Sequence, residues 1–310
     1  MKKSLWHQKV EVLYERMSPA DPQYNRVREE LQRCVAGLEG EKRVYYFLSE
    51  LNESFRILHD IRLPSPNGVT HFQIDTIVIC PSIIFIFEIK HISGHLTFNR
   101  QTNQLTRGNQ VFGDPIAQVQ RQERFLLPWL PKPIPVLPLV VISHPRAKVD
   151  FVPEDSPDRA FLSYPAELGA RMDEKLNGRL PVLSMKEVHE LANRLQANHR
   201  PYDPGLLTVF GVEKDRILKG IRCPACRTLT VKKVAKRWTC LTCRQSFKTA
   251  HIKALHEYIL LFGPKITNRE LRDFLGIESR SVSEKLLKKW RESSEGTTRD
   301  YTHIIKNPIE

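Results

Sequence analysis

The chain has 310 residues, of which 41% are hydrophobic and 27% are charged, as in a globular protein with two or three modules. No apolar run approaches the roughly 20 residues of a membrane-spanning helix, and the first residues lack the hydrophobic segment of a signal peptide. These features exclude a membrane-embedded protein, and we expect a cytoplasmic one.

The formal net charge of +13 lies mostly in the C-terminal third. Residues 201–310 have 22 Lys and Arg against 12 Asp and Glu, so this part attracts polyanions, of which nucleic acid is the most abundant in cells. No amphipathic basic helix stands out, which makes an acidic membrane surface the weaker alternative. We expect a nucleic-acid partner and no membrane, and the sequence leaves the oligomeric state open.

Helical and strand-like segments alternate through the first 130 residues. Residues 1–33 are predicted to form a helical lead-in, and a second helix is predicted from Leu38 to Leu51, behind a turn at 37–41. Apolar runs bounded by turn-forming residues predict strands. The four predicted strands span 55–63, 71–80, 83–91 and 94–99.

The later elements are marked by proline and by apolar periodicity. Asp114-Pro115 predicts the start of a helix that runs to Trp129, because aspartate caps helices and proline suits their first position. A buried strand is predicted at 136–143, with helices near 164–176 and 185–197. The predicted modules are a lead-in (1–33), an α/β catalytic domain (34–150), a helical extension with a linker (151–205), a four-cysteine segment (206–250), a helical module (251–295) and a tail (296–310).

The predicted hairpin at 71–91 carries the residues of a candidate active site. If its turn is centred between positions 81 and 82, residues whose numbers sum to 163 face one another, so Asp75 faces Glu88 and Gln73 faces Lys90. Opposed side chains have Cβ atoms roughly 4.5–5.5 Å apart. Two carboxylates at that distance repel each other unless a cation or a proton lies between them.

Asp75 and Glu88 are therefore predicted to bind Mg²⁺ or Mn²⁺, which prefer oxygen ligands, and Glu41 is a candidate third carboxylate. Such a metal ion polarises a phosphate oxygen and lowers the pKa of a bound water. Lys90 would orient that water for attack on the phosphate and balance the negative charge that develops in the transition state. The alternative is a cross-strand ion pair at an exposed end of a sheet, without any catalytic role.

Five motifs, which follow one another along the chain, favour the catalytic interpretation over the ion pair. They are Gly37-x-x-Gly40-Glu41, Gln73-Ile74-Asp75, Glu88-Ile89-Lys90, Ser93-Gly94 and Asp114-Pro115-x-x-Gln118. Together they resemble the nuclease-related domain (NERD) family of the restriction-endonuclease-like, PD-(D/E)xK superfamily, over roughly residues 34–130. The resemblance implies an α/β fold with a mixed sheet that is flanked by helices.

The resemblance also implies functional roles. It assigns Asp75, Glu88 and Lys90 to the catalytic core, Glu41 to the metal site, and Gln118 to a supporting role on the later helix.

Two positions depart from the family pattern. Asp114 precedes the proline, and His91 follows the catalytic lysine, where the family commonly has asparagine at both positions. The first lies at a helix cap and the second at the end of a strand, so neither departure removes a proposed catalytic group.

Four of the six cysteines are predicted to bind Zn²⁺ as a zinc ribbon. Cys223 and Cys226 form one CxxC pair, Cys240 and Cys243 form the other, and thirteen residues separate the two pairs. Two such pairs complete a tetrahedron around zinc. A pair of redox motifs is the alternative, but no thioredoxin-like βαβ pattern surrounds either of them.

Basic side chains surround the predicted ribbon. Residues 216–256 contain eleven Lys and Arg and no Asp or Glu. Such side chains contact phosphates, and an exposed aromatic ring can stack on an unpaired base. The alternative is a solvated basic face with Trp238 packed inside the ribbon. The predicted nucleic-acid-binding residues of this segment are Arg222, Arg227, Lys232, Lys233, Lys236, Arg237, Trp238 and Arg244.

Residues 266–276 resemble the first half of a helix-turn-helix. Thr267 can cap the helix, Glu270 completes a capping box, and Gly276 suits the turn. A second helix at 279–290 would enter the major groove of DNA, although many helical hairpins only serve packing. Its predicted nucleic-acid-binding residues are Arg280, Lys285, Lys288 and Lys289.

The sequence thus favours a metal-dependent nuclease with a nucleic-acid-binding C-terminal part. DNA is preferred over RNA as the substrate, because a recognition helix fits the major groove of duplex DNA, whereas A-form RNA hides that groove. One alternative is a non-catalytic nucleic-acid-binding or recruitment protein that uses a nuclease fold as a scaffold. Another is a transcription-type regulator that acts through the C-terminal module.

Overall fold

The computed structural model describes residues 1–51, 55–297 and 301–309. The chain divides into two compact units, which we call the first unit (Met1–Ser4 with Gln32–Tyr202) and the second unit (Leu5–Leu31 with Asp203–Glu310). None of the described helices combines the length and the apolar character of a bilayer span.

A mixed five-stranded sheet forms the centre of the first unit and confirms the expected fold class. In sheet order, its strands are β1 (Arg56–Pro64), β2 (His71–Ile79), β3 (Ile84–Lys90), β7 (Val136–Ile142) and β9 (Leu162–Ser163). β1, β2 and β3 are antiparallel, whereas β3, β7 and β9 are parallel. A second sheet contains β6 (Gln110–Phe112), β5 (Gln104–Arg107), β4 (Gly94–Asn99) and β8 (Ala147–Val152).

Helices cover both faces of the five-stranded sheet. Two separate apolar clusters lie on its two sides, so the continuous apolar runs of β2 and β3 are buried, as expected for central strands. One cluster includes residues of α3 (Pro115–Leu126) and α5 (Met185–Ala197), and the other includes residues of α2 (Tyr24–Leu48) and α4 (Leu168–Leu176).

Helix α2 continues through the segment that the sequence marks as a turn, so the prediction of a helix start near Leu38 is wrong. The reason is the packing of Gly40, where a Cβ atom would lie 2.7 Å from the Cβ of His91 and 2.8 Å from the Oγ of Ser143. Glycine costs roughly 1 kcal/mol inside a helix, but here it permits close contact between α2 and the ends of β3 and β7.

The second unit combines helices with two small sheets. The helices are α1 (Leu5–Glu15), α6 (Leu206–Phe210), α7 (Ala250–Phe262), α8 (Asn268–Leu275) and α9 (Arg280–Trp290). One sheet contains β10 (Val231–Val234), β11 (Arg237–Cys240) and β12 (Ser246–Phe247), and the other has the order β13 (Lys265–Ile266), β15 (Thr302–Ile305), β14 (Arg291–Glu295).

Strand β15 lies in the segment predicted to be a tail. Its last residue, Ile305, is 2% exposed, and the N–H of Ile305 donates to the carbonyl of Pro264 at 3.0 Å. The prediction of a tail is therefore wrong for these residues, because pairing with β13 and β14 supplies the order that local sequence does not.

A buried ion pair joins Arg16, the residue directly after α1, to α7 inside the second unit. The Nε of Arg16 donates to the Oε2 of Glu257 at 2.7 Å, and the two side chains are 0% and 1% exposed. Arg16 also donates to the carbonyl of Leu218 at 2.7 Å. Part of the predicted lead-in therefore belongs to the core of the second unit.

Candidate active site and metal centre

Strand β2 separates from β3 at Asp75, and this separation opens the candidate active site. The β2–β3 pairs begin at Thr76↔Phe87 and keep the predicted sum of 163, so the register inferred from the turn is confirmed. β2 remains paired with β1 as far as its first residue. The predicted pair of Asp75 and Glu88 lies one position beyond the last paired residues. The predicted opposition of Gln73 and Lys90 is wrong, because β2 follows β1 away from β3.

Glu88 is at the centre of the polar network. Its side chain is 3% exposed; its Oε1 accepts from the Nζ of Lys90 at 2.5 Å, and its Oε2 accepts from the Nε2 of Gln122 at 2.7 Å. The Nζ of Lys90 also donates to the Oε1 of Gln118 at 3.2 Å. Helix α3 thus contributes two glutamines that fix the orientation of the Glu88–Lys90 pair.

The carboxylate of Asp75 lies where the two strands separate. Its Oδ2 accepts the backbone N–H of Ile89 at 2.8 Å. Burial raises the pKa of Asp75 well above its usual value, and the nearby carboxylates of Glu88 and Glu41 raise it further, against the opposing effects of the Ile89 N–H and Lys90. A cation beside Asp75 would relieve this repulsion.

Glu41 lies close enough to this network to be affected by its charges. Burial, followed by the charges of Asp60 and Glu88, raises its pKa to about 7. The structure thus brings Glu41, Asp75, Glu88, Lys90 and Gln118 into one electrostatic neighbourhood.

Asp60 and Gln122 are the polar residues that the predicted set omits. Asp60 has a φ of 54°, in the left-handed region that aspartate tolerates better than most residues, and its Oδ1 accepts from the Nε2 of Gln73 at 2.6 Å. The pairs on either side of it, His59↔Thr76 and Ile61↔Ile74, show that it shares the register position of Asp75. Only the β1–β2 register, which the sequence did not predict, could have located it.

The donor set of this site fits a hard divalent cation. Carboxylate and amide oxygens are the ligands that Mg²⁺ and Mn²⁺ prefer, and Mg²⁺ is commonly held by one or two carboxylates with water. The Oε1 of Gln122 is buried and has no hydrogen-bond partner within the described part of the chain. In the described part of the chain, the carboxylate oxygens of this site are not as close to one another as the sulfur atoms of the four cysteines described next. A cation bound here would therefore need water ligands as well.

The four cysteines of the second unit come together as predicted and could bind a metal such as zinc. Their Sγ atoms all lie within 4.8 Å of one another. In each CxxC pair, the N–H of the second cysteine donates to the first sulfur at 3.5 Å, from Cys226 to Cys223 and from Cys243 to Cys240. This arrangement is compatible with a zinc ribbon, in which thiolates complete a tetrahedron.

Trp238 is buried, so its predicted stacking on a base is wrong. Its side chain is 2% exposed and stacks on His251 with ring centroids 4.9 Å apart, while the Nζ of Lys233 lies 4.9 Å from the centroid of its ring. The indole packs inside the second unit because it provides apolar area that this small sheet otherwise lacks.

Part of the predicted basic set forms contacts within the second unit. Arg222 and Arg227 both bind Glu15 of α1, and the Nζ of Lys232 donates to the carbonyl of Gly276 at 3.2 Å. Lys233 is half-buried, and its Nζ donates to the carbonyl of Lys236 at 2.8 Å. The other predicted residues have exposed side chains; they are Lys236, Arg237, Arg244, Arg280, Lys285, Lys288 and Lys289.

Comparison with known proteins supports the assignment of the first unit. Residues 36–143 match the family model of the nuclease-related domain, NERD. This match confirms the resemblance inferred from the five motifs. No curated protein and no solved structure gives a significant match to the chain.

Proposed function

We propose that the nuclease-related domain at 36–143 makes this chain a metal-dependent nuclease, which hydrolyses phosphodiester bonds of DNA and is directed to its substrate by the second unit. The observation that carries the proposal is the position of the Lys90 ammonium. It lies 2.5 Å from Glu88 and 3.2 Å from Gln118, near Asp75, whose pKa is raised by burial and further by the carboxylate of Glu88.

Asp75, Glu88 and Glu41 would hold Mg²⁺ or Mn²⁺. When bound, such an ion polarises a phosphate oxygen and lowers the pKa of water. Gln122 and the N–H of Ile89 fix the two strand carboxylates, so that the ligands need little rearrangement before the ion binds.

The remaining chemistry belongs to Lys90 and Gln118. The ammonium orients the attacking water and stabilises the extra negative charge on the phosphate oxygens as the transition state forms. The water oxygen forms a bond to phosphorus and loses a proton to solvent, while the bond from phosphorus to one sugar oxygen breaks and that oxygen takes up a proton from solvent. Gln118 keeps the ammonium in place, because its Oε1 accepts one of the three N–H bonds of Lys90.

The second unit supplies the nucleic-acid contacts in this proposal. A structural Zn²⁺ held by Cys223, Cys226, Cys240 and Cys243 would stabilise the ribbon. In this proposal α8 and α9 act as a helix-turn-helix, with α9 as the helix that enters the major groove. The exposed side chains proposed to contact DNA are Lys236, Arg237, Arg244, Arg280, Lys285, Lys288 and Lys289.

Cleavage of plasmid and single-stranded DNA by the full chain, with Mg²⁺ or Mn²⁺, tests this function. We expect Asp75→Ala and Lys90→Ala each to reduce the rate by about 10²–10³-fold, which is the size of effect typical when one transition-state-stabilising group is removed. Lys148→Ala is the matched control, because Lys148 is an exposed lysine of the same unit. Cleavage that survives both active-site substitutions contradicts the proposal, and binding without cleavage favours the scaffold alternative.

A further inference from the structure

Two histidines lie at the carboxyl ends of the parallel strands β3 and β7. Lys90 pairs with Ile142 at the ends of these strands, His91 follows directly after Lys90, and His144 lies two residues after Ile142. The two imidazole rings have centroids 4.8 Å apart. In α/β proteins, ligands bind in the crevice outside this end of the strands.

The histidine pair lies on the α2 side of the sheet, whereas Glu88 and Lys90 face α3. Successive side chains of a strand point to opposite faces, which places His91 with Phe87 and Ile89, and the close contact at Gly40 brings α2 against it. The histidine pair therefore lies next to the candidate active site, at the carboxyl ends of β3 and β7, but takes no part in the hydrogen-bond network of that site.

Each ring is oriented by the protein through its Nδ1 atom. The Nδ1 of His91 is hydrogen-bonded to the Oγ of Ser143 at 3.0 Å, and the Nδ1 of His144 accepts the N–H of Arg146 at 3.2 Å. In both rings this leaves the Nε2 atom to meet a ligand. Because the Nδ1 of His144 is an acceptor, its Nε2 carries the proton and is a donor.

The electrostatic surroundings of the pair favour an anion. Burial lowers the pKa of His91, and the charges of His144 and Arg43 lower it further, while Glu39 acts in the opposite direction. The pKa of His144 is lowered by burial and by the charges of Arg146 and Arg43. Arg43 and Arg146 thus act on the two rings as positive charges, against the single negative charge of Glu39, and this balance of charge would attract an anion.

We infer that His91, His144 and Arg43 form a phosphate-binding site, which holds a backbone phosphate of the nucleic acid next to the bond that is cleaved. The role in catalysis rests on the proposed function, whereas the ability to bind phosphate does not. Arg43 lies three residues after Gly40, on the face of α2 that meets His91, and its exposed guanidinium can bind two phosphate oxygens at once.

Proton NMR of the full chain with inorganic phosphate as the probe tests the site directly. We expect the imidazole signals of His91 and His144 to shift together and to saturate, while the signal of His95 stays in place. His95 is the matched control, because it is a largely exposed histidine of the same unit that already pairs with Asp150. Absence of a saturable shift in His91 and His144, or an equal shift in His95, overturns the inference.

Kinetics of the variants test the role in cleavage. His144→Gln and Arg43→Gln should each raise KM for a short DNA duplex about tenfold, as expected when roughly 1.4 kcal/mol of binding is lost, and should change kcat less than twofold. His95→Gln should change neither constant. An unchanged KM in both variants contradicts the role in substrate binding. If the chain cleaves no DNA at all, the proposed function fails, and the phosphate titration alone decides whether the site exists.

Discussion

Replacing Asp75 by Asn should stabilise the first unit at high pH while abolishing metal uptake. Asn keeps an oxygen that can accept the N–H of Ile89, a bond that Asp75 makes at 2.8 Å, but removes a negative charge beside Glu88. Two carboxylates about 5 Å apart repel by about 3 kcal/mol at an effective dielectric constant near 20. Lys90 offsets part of this repulsion, so we expect the variant to gain about 1–2 kcal/mol at pH 8 without divalent ions.

The sign of the pH dependence follows from the raised pKa of Asp75. A carboxyl group with a raised pKa in the folded state stabilises the fold at low pH and loses that contribution as pH rises through the folded pKa. The wild type should therefore lose stability relative to Asp75→Asn as pH rises above 3.8, the ordinary pKa of aspartate, and the two should be closest in stability at or below about pH 4.

Pulse proteolysis in urea, with detection of fragments from residues 32–202, would measure the stability of the first unit separately. Asp155→Asn is the matched control, because Asp155 is an exposed aspartate of the same unit and its replacement should have no effect at either pH. A variant Asp75→Asn that is less stable than the wild type at pH 8 would refute the reasoning, because the carboxylate would then contribute to the fold without a cation.

Three further predictions concern other parts of the chain. The Mn²⁺ affinity of the first unit, measured by calorimetry, should rise between pH 6 and pH 8 because Glu41 has a pKa of about 7, and Glu41→Gln should flatten that profile; a profile unchanged by the substitution would exclude Glu41 as a ligand. Arg16→Met should lower the free energy of unfolding of the second unit by about 3–5 kcal/mol in urea denaturation, and the double variant Arg16→Met/Glu257→Met should recover most of it; no recovery would contradict the buried pair as the cause. Cys240→Ala should reduce bound zinc from about one ion per chain to none and unfold the ribbon, whereas Cys80→Ala, which changes a buried cysteine outside the cluster, should leave the zinc content unchanged.

Local signals in the sequence were enough to predict much of the first unit. The strands at 71–79, 84–90 and 94–99 follow their apolar runs, and the helix start at Asp114 has the predicted cap, with its Oδ1 accepting the N–H of Ile116 at 2.9 Å. Strand formation and helix capping could be predicted because both depend on residues that are close in the sequence. The Asp75, Glu88 and Lys90 set followed from the hairpin register, which a single turn determines.

The missed features depend on contacts between distant parts of the chain. The continuity of α2 depends on Gly40 meeting His91 and Ser143, and the divergence of β2 from β3 depends on pairing with β1. The membership of α1 in the second unit comes from long-range contacts, among them its apolar residues in the core and the adjacent pair of Arg16 and Glu257, which are 241 positions apart. No local propensity encodes such contacts, so the sequence could indicate the chemistry of the site but not the strand separation that creates it.

The most direct test of the account is calorimetry of Mn²⁺ binding to the zinc-loaded full chain, with wild type, Asp75→Asn and Glu88→Gln compared at pH 8. We expect saturable binding to the wild type, at least a tenfold loss of affinity in each variant, and an unchanged zinc content in all three. Mn²⁺ binding that is equal in the wild type and both variants, or absent from the wild type with and without DNA, would contradict the claim that these two carboxylates hold a divalent ion.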